Sequence, residues 1–544
     1  MLVASAAMIT AAPASAAETI KWAHWYDKSV LGTTDRSEVL QACQSNCNLA
    51  PVVNASSRYV LGFETNSQYQ AASFGRNFIP PDTMGAVGKT QYMVTLNGTI
   101  GVYDKNTGAL QSVTSDVSFW AGAGQTGTSG DPRVMYNAAA GRWITLAFGA
   151  NVADIQIAVS DTDNALGTWK SVKFTGFAGG VADYPTLALD TNAVYIGTNN
   201  FTSTFQGTTL NVIPIDSLFN GVAPTVANMK QFVTPYPGVF EDRGYSIQGV
   251  NSTTAGSTGT VVSASLFNWD TLTYDINNLS SSSATGATRT AVQYNGESAF
   301  VGAGAGRQPA DIAANRRIID TLDDRISSSV YEANGFIYAV HTVNPTGDPA
   351  GDYSRVRVVV LDAATKALVD TYDIGSGPYD YYQGSLAVND KGQLVVGFNR
   401  SGLNATDGKI RFSAVILSTL ANGQLRQHGG EILLKESLTN DYHNGSAKNQ
   451  AAAGRQRWGD YSQVSVDPND PNRFYAIGQF AREYNTPEDG HPGGTGFARW
   501  GTWVGVINVA GIPEPSTWLM LILGFGVIGG AIRRQKQQTR IVYG

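Results

Sequence analysis

Apolar and polar positions alternate in short runs through the middle of the chain, and one phrase recurs. It consists of a polar or aromatic turn residue, a short strand, a tight turn, and a second strand rich in small and β-branched residues. It reads PPDTMGAVGKTQYMVTLNG from Pro80, DPRVMYNAAAGRWITLAFGA from Asp131, DYPTLALDTNAVYIGTNNF from Asp183 and, less regularly, DRGYSIQGVNSTTAGSTGTVVSASLF from Asp242. It returns as DRISSSVYEANGFIYAVHTV from Asp324, YYQGSLAVNDKGQLVVGFNRS from Tyr381 and DYSQVSVDPNDPNRFYAIGQF from Asp460. Further strand-like runs follow most copies, among them TIGVYDKNTGAL, DIQIAVSDTD and SRVRVVVLDAATKALVDTYDI. Each copy therefore holds the material for a four-stranded antiparallel sheet. One such sheet cannot cover both of its faces, whereas several arranged radially can. The pattern predicts an all-β chain with a β-propeller over residues 56–510. Seven four-stranded blades is the leading count, with six or eight as alternatives and a pair of packed sheets as the rival architecture.

A ring must close. The last copy ends with TWVGVINV and lacks a strand, and the run SSRYVLGFETN at residues 56–66 is predicted to complete it, because an unpaired edge there would invite aggregation. Residues 18–55 form an N-terminal extension outside the repeats. Two polar insertions, 278–315 and 437–456, precede the fifth and seventh copies.

Both ends differ from the middle. Residues 1–17, MLVASAAMITAAPASAA, are apolar and alanine-rich with a small-x-small site at Ala14-Ser15-Ala16, the pattern of an export signal that is removed. Residues 511–544 contain Pro513-Glu514-Pro515, then Trp518, an apolar run to Ile532, and the cations Arg533, Arg534, Lys536 and Arg540. As a helix, that run would cover roughly 22 Å, short of the ~30 Å hydrocarbon core, so a temporary span with its arginines at the headgroups is expected. The basic flank places the preceding chain outside the cytoplasm. In this order of features the tail resembles the PEP-CTERM sorting signal. That resemblance implies recognition by the membrane protease-transpeptidase exosortase and delivery to the envelope or extracellular matrix of a Gram-negative bacterium.

Composition narrows the partners. The net charge is −6 and charged residues are only 15% of the chain, with no basic stripe before the tail, which argues against nucleic acid. Sixty glycines and 10% aromatic residues suit tight turns and strands. Two cysteines, Cys43 and Cys47, exclude a four-cysteine zinc module, and whether they pair is left open. No metal and no cofactor is expected. The five histidines lack metal-ligand spacing and read as turn or surface residues. MGAVGKT lacks the first glycine of a phosphate-binding loop, and a strand follows it.

The innermost strand of each blade starts at one face of the ring. The repeat places Asp82, Asp131, Arg133, Asp183, Tyr184, Asp242, Arg243, Tyr245, Asp324, Arg325, Tyr381, Tyr382, Asp460 and Tyr461 at these entrances. Such residues brace turns and neighbouring blades, or else stack on sugar faces and bond hydroxyls. Within AVSDTDNALGTWKSVKF, Ser160, Asp163, Gly167, Thr168 and Trp169 resemble a stretched Asp-box of the sialidase-like propellers. A sialidase-type mechanism would draw its arginine clamp from Arg133, Arg243 and Arg325, its nucleophile from Tyr461 or Tyr382 and its acid from Asp82. The only glutamate at an entrance is Glu241. The expected function is therefore an exported surface or matrix protein that binds a polysaccharide or an envelope protein, with glycan hydrolysis as the alternative.

Overall fold

Strands in this chain are apolar on both sides, since each sheet lies between two others. In Arg142–Phe148, Trp143 joins a cluster with Met84, Ala86 and Val102 of the preceding sheet, while Ile144 and Leu146 turn toward Leu187, Val194 and Ile196 of the following one. Side-chain alternation thus deals successive residues to two different interfaces. The computed structural model describes residues 48–511 apart from 54–57, 77, 222, 237–241, 255–257, 298, 311–316, 348–351, 441, 443–455, 485 and 490–497. The export signal, nearly all of the N-terminal extension, both cysteines, Glu241 and the C-terminal tail lie outside the described residues.

Five sheets stand as separate blades. The first comprises Met84–Val87, Gln91–Leu96, Thr99–Asp104 and Leu110–Ser115. The second comprises Gly130–Asn137, Arg142–Phe148, Asp154–Ser160 and Trp169–Thr175. In the third, Val181–Asp183 and Ala188–Leu189 share the inner edge of Ala193–Phe201, followed by Phe205–Pro214 and Lys230–Pro235. The penultimate blade runs through Tyr379–Val388, Gln393–Gly402 and Arg411–Thr419. The closing blade is built on Gln463–Asp467, Asp470–Tyr484 and Ala498–Asn508.

The expectation of seven separate blades is corrected between the third and penultimate ones. There the fourth and fifth repeats share one ten-stranded sheet. Its halves are Tyr245–Asn251, Gly259–Ala264 and Thr271–Asn277, and Val330–Ala333, Phe336–Pro345, Arg355–Asp362 and Leu368–Ile374. A short parallel pairing of Val250 with Val330 and Asn251 with Tyr331 fuses them, reinforced by Asn251 Nδ2 donating to the Val330 carbonyl at 2.9 Å. The first insertion adds short strands to this double sheet, Gln293–Tyr294 along Thr271–Asn277 and Phe300–Gly302 along Phe336–Pro345.

Hydrophobic clusters join each unit to the next around a full circle, and the last one links the closing blade to the first through Phe63, Tyr92, Tyr103, Tyr475 and Trp500. The circle closes as the sequence predicts. Tyr59–Ser67 pairs antiparallel with Ala498–Asn508, Phe63 opposite Val504 and Glu64 opposite Trp503. Glu64 is buried and receives Arg482 through both oxygens, Nε to Oε1 at 2.6 Å and Nη2 to Oε2 at 3.1 Å. Asn66 carries the seam onward by donating to Thr99 Oγ1 at 2.9 Å and accepting from the Tyr103 hydroxyl at 2.8 Å. A buried Lys105–Asp467 ion pair at 2.6 Å ties the same two blades.

Glu64→Ala removes both charge-assisted bonds to the buried Arg482, which keeps Glu483 Oε1 at 3.0 Å, and also the acceptor of the Leu49 amide. This substitution is therefore expected to destabilise the fold by ~3 kcal/mol or more, read from the urea midpoint. A loss below ~1 kcal/mol, the range of an exposed pair, would show that the closing strand does not depend on this contact.

Candidate functional site at the centre of the ring

Five blade entrances share an unusual backbone state. Asp82, Asp131, Tyr184, Ser246 and Gln383 have φ of 51°, 50°, 52°, 46° and 52°, the left-handed region that side chains disfavour. At four of them the amide is held by the preceding unit. Asp131 N–H donates to Asn97 Oδ1 (3.0 Å), Tyr184 N–H to Asp131 Oδ2 (3.0 Å), Ser246 N–H to Asn199 Oδ1 (2.7 Å) and Gln383 N–H to Thr342 Oγ1 (3.1 Å). At Asp131 and Ser246 the side chain takes part as well, Asp131 accepting from the Tyr184 amide and Ser246 Oγ accepting from Asn199 Nδ2 at 2.9 Å.

The entrances bring nine charged or phenolic residues together from around the ring: Asp82, Asp131, Arg133, Asp183, Tyr184, Arg325, Arg457, Asp460 and Tyr461. Tyr184 and Tyr461 meet edge to face with centroids 5.4 Å apart. Their hydroxyls reach across to other units, Tyr184 to the Asp460 carbonyl at 3.3 Å and Tyr461 to the Pro132 carbonyl at 3.2 Å. The Arg133 guanidinium lies 3.5 Å from the Tyr461 centroid and 4.8 Å from that of Tyr184, while Arg325 approaches Tyr184 at 4.4 Å. Arg133 also donates to the Pro185 carbonyl at 2.9 Å, and Arg325 is held by both oxygens of Asp323. These stacked rings and guanidiniums close the axis.

Carboxylates surround this plug. Asp82 is buried and accepts from Asn97 Nδ2 at 2.7 Å. Burial, then the charges of Asp460 and Asp131, push its carboxyl well above the ordinary range, against the pull of Arg457. Burial followed by Asp460 likewise raises Asp131, against the pull of the Tyr184 amide and Arg133. Burial and then Asp131 push Asp183 up to about 8, with Arg325 opposing. Asp460 accepts from Arg457 Nη2 at 2.7 Å. Asp131, Asp183, Asp460, Arg325 and Arg457 keep partial exposure at the entrance face.

The other expected members stand apart. Asp242 braces its own loop, accepting from the amides of Gly244 and Leu266 and from Ser265 Oγ. Arg243 donates to the Thr290 carbonyl and lies over Tyr274, so the three arginines named for a clamp do not converge. Tyr245 donates to Asp324 at 2.5 Å, a buried pair of its own. Tyr381 belongs to the hydrophobic cluster between the double sheet and the penultimate blade. Tyr382 is buried among Ile319, Tyr442 and Trp458.

Two residues escaped sequence reading. Arg457 sits at the end of the second insertion, and its only signal was its place three residues before Asp460. His341 is not a turn or surface residue: it is fully buried in Phe336–Pro345, with Nε2 2.8 Å from Glu297 Oε1 and Nδ1 3.0 Å from the Asp324 carbonyl. Burial pulls its pKa down, but the Glu297 carboxylate outweighs burial and leaves it raised. The stretched Asp-box is a hairpin device between Asp154–Ser160 and Trp169–Thr175, where Trp143 Nε1 donates to the Asp163 carbonyl and Thr168 Oγ1 to Asp161. Among the described residues, no group of three or more histidine, aspartate or glutamate side chains is arranged to hold a metal ion.

Residues 511–535 match the PEP-CTERM protein-sorting motif. The motif contains Pro513, Glu514, Pro515, Trp518, Arg533 and Arg534, and it implies an exported protein processed by exosortase at the cell envelope. Among the described residues no helix is long and apolar enough to cross a membrane. No curated protein matches the chain. Similar solved structures include the Dos1 propeller, at 10% identity over 78% of this chain and 92% of that one with a TM-score of 0.37. An endo-arabinase from Bacteroides thetaiotaomicron VPI-5482 is 12% identical over 70% and 93%, with a TM-score of 0.29. Trypanosoma rangeli sialidase is 13% identical over 81% and 61%, with a TM-score of 0.31. No activity is carried over from them.

A carboxyl whose folded pKa is raised favours folding while it is protonated. Its contribution is full below the unfolded value of 3.8 and is lost as pH rises through about 8 for Asp183. Wild-type melting temperature should therefore fall between pH 4 and 8, and Asp183→Asn should fall less. Parallel profiles at constant ionic strength would reject the assignment.

Proposed function

We propose that this exported protein works at the cell surface or in the exopolysaccharide matrix as a non-catalytic binding module. In this reading its propeller presents a rigid face to glycan or to an envelope protein. The apolar tail tethers it in the inner membrane until exosortase removes it. One observation carries the reading: the acids, bases and phenols at the centre are engaged with one another. Glycoside hydrolysis of the usual kind needs two carboxyl groups about 5 to 9.5 Å apart across an open site. Asp82 is instead buried with Oδ2 held by Asn97 Nδ2 at 2.7 Å, and Asp131 Oδ2 is taken by the Tyr184 amide at 3.0 Å. A phenol nucleophile needs access and a base, whereas Tyr461 is buried under Arg133 and donates to a backbone carbonyl.

The alternative, a hydrolase of sialidase type, draws on the raised carboxyl of Asp82, the form a general acid needs at neutral pH. It lacks a converging arginine clamp. Purified protein should release no sugar from sialylated or arabinan substrates, and Asp82→Asn should leave that result unchanged. Release by wild type that the substitution abolishes would overturn the binding reading. Replacing Pro513, Glu514 and Pro515 together by alanine should leave the protein in the inner-membrane fraction. Undiminished release on immunoblots of fractionated cells would contradict the sorting route.

A further inference from the structure

We propose that a rim on the entrance face, spanning the second blade, the third blade and the double sheet, is a row of subsites for an uncharged glycan chain. This rests on the reading of the propeller as a binding module and gives it a site outside the central cluster. The row begins at a cleft of about 630 Å³ lined by Asn151, Ala153, Gly180, Val181, Phe201 and Thr202. From Phe201 a line of rings continues outward: Phe205 at 5.5 Å between centroids, Tyr236 a further 5.7 Å, and Phe267 a further 6.4 Å. Two residues on, Trp269 meets Phe300 of the double sheet at 6.1 Å. The pairings Asp183 with Asn199 and Tyr245 with Ala264 set the ends of Ala193–Phe201 and Gly259–Ala264 level with the entrance residues, so these loops share the face of the central cluster.

The chemistry is that of a sugar platform. Phe205 is the buried floor, Phe201 and Tyr236 are half-buried, and Phe267 and Trp269 expose 36% and 39% of their surface at a hairpin tip. Large exposed rings beside a cleft leave apolar surface in water that a ligand would cover. The polar groups between them are neutral: Thr202, Thr204, Asn268, and Gln206, whose amide is held by Thr204 Oγ1 at 2.9 Å. Asp270, beside Trp269, is occupied by the amides of Gly296 and Glu297. The cation that reaches the row, Arg357 at 5.4 Å from the Phe300 centroid, is buried and paired with Asp373 and Glu297, so the described residues of the row offer no exposed counter-charge to phosphate or a polyuronate. Aromatic faces alternating with amides and hydroxyls suit the C–H faces and hydroxyls of neutral sugars.

The test is affinity electrophoresis of the full chain through gels containing uncharged polysaccharides (glucan, galactan and arabinan) or alginate. Wild type should be retarded by at least one uncharged polymer. The pair Phe267→Ala and Trp269→Ala should lose tenfold or more in affinity at unchanged melting temperature, while Phe267→Tyr with Trp269→Phe should retain it. Should the alanine pair melt early, Gln206→Ala with Asn268→Ala provides the same readout. Equal retardation of wild type and the rim variants would overturn this site while leaving glycan binding in place. Retardation by alginate alone would overturn the uncharged ligand. Retardation by no polymer would overturn both the site and glycan binding by the propeller.

Discussion

A four-stranded antiparallel sheet that is apolar on both faces has no stable life alone, and every other feature of this protein depends on how that is resolved. Each unit is covered on one side by its predecessor and on the other by its successor, so the chain is stable only when the last unit finds the first. The pairing of Tyr59–Ser67 with Ala498–Asn508 makes that join from residues more than 400 positions apart. Such a contact brings a large loop-closure cost. Hydrophobic burial at the seam is accordingly reinforced by a bidentate Arg482–Glu64 pair and by Asn66, whose amide is bonded at both ends to the first blade. A directional network at the seam also fixes the register, because a one-residue slip would turn Glu64 out of reach of Arg482.

Closure crowds the centre. Strand entries from all sides converge on the axis, and the left-handed backbone at Asp82, Asp131, Tyr184, Ser246 and Gln383 is the local strain of turning each chain into its inner strand. At all of these but Asp82 the preceding unit supplies an acceptor for the strained amide, so one bond both spaces the blades and holds the strained backbone. Burial at the crowded axis, and after it the repulsion of neighbouring carboxylates, raises Asp82, Asp131 and Asp183.

The architecture was legible in the sequence because period-two alternation and turn residues recur with each unit. Closure was legible too, since counting strands left one missing at the end and one spare at the start. The fusion of the fourth and fifth repeats was not, because it rests on a two-residue parallel pairing with no compositional mark. The central cluster was read in part. Repeats were aligned by residue type, whereas the structure aligns them by backbone state. By that measure Ser246, not Asp242, corresponds to Asp131, and Gln383, not Tyr381 or Tyr382, corresponds to Tyr184. Arg133, Arg325, Asp460 and Tyr461 kept phase and converge. His341 was misread because its partner Glu297 is 44 residues away in an insertion, a distance over which sequence pattern is silent.

The division between a braced centre and an open rim follows from where load is carried. A central substitution disturbs an interblade latch, a buried charge or a cross-axis hydrogen bond, so change there is paid in folding free energy. Hairpin-tip residues 267–269 lie beyond the last backbone bond of their hairpin, Ser265 N–H to the Asp270 carbonyl at 3.0 Å, and touch neither the seam nor the axis. New side chains there alter the surface while leaving the ring intact, which is the general reason that rigid scaffolds place recognition on loops. Phe267 and Trp269 fit that logic. They are large rings held in water at the one kind of position where the ring gains nothing from burying them.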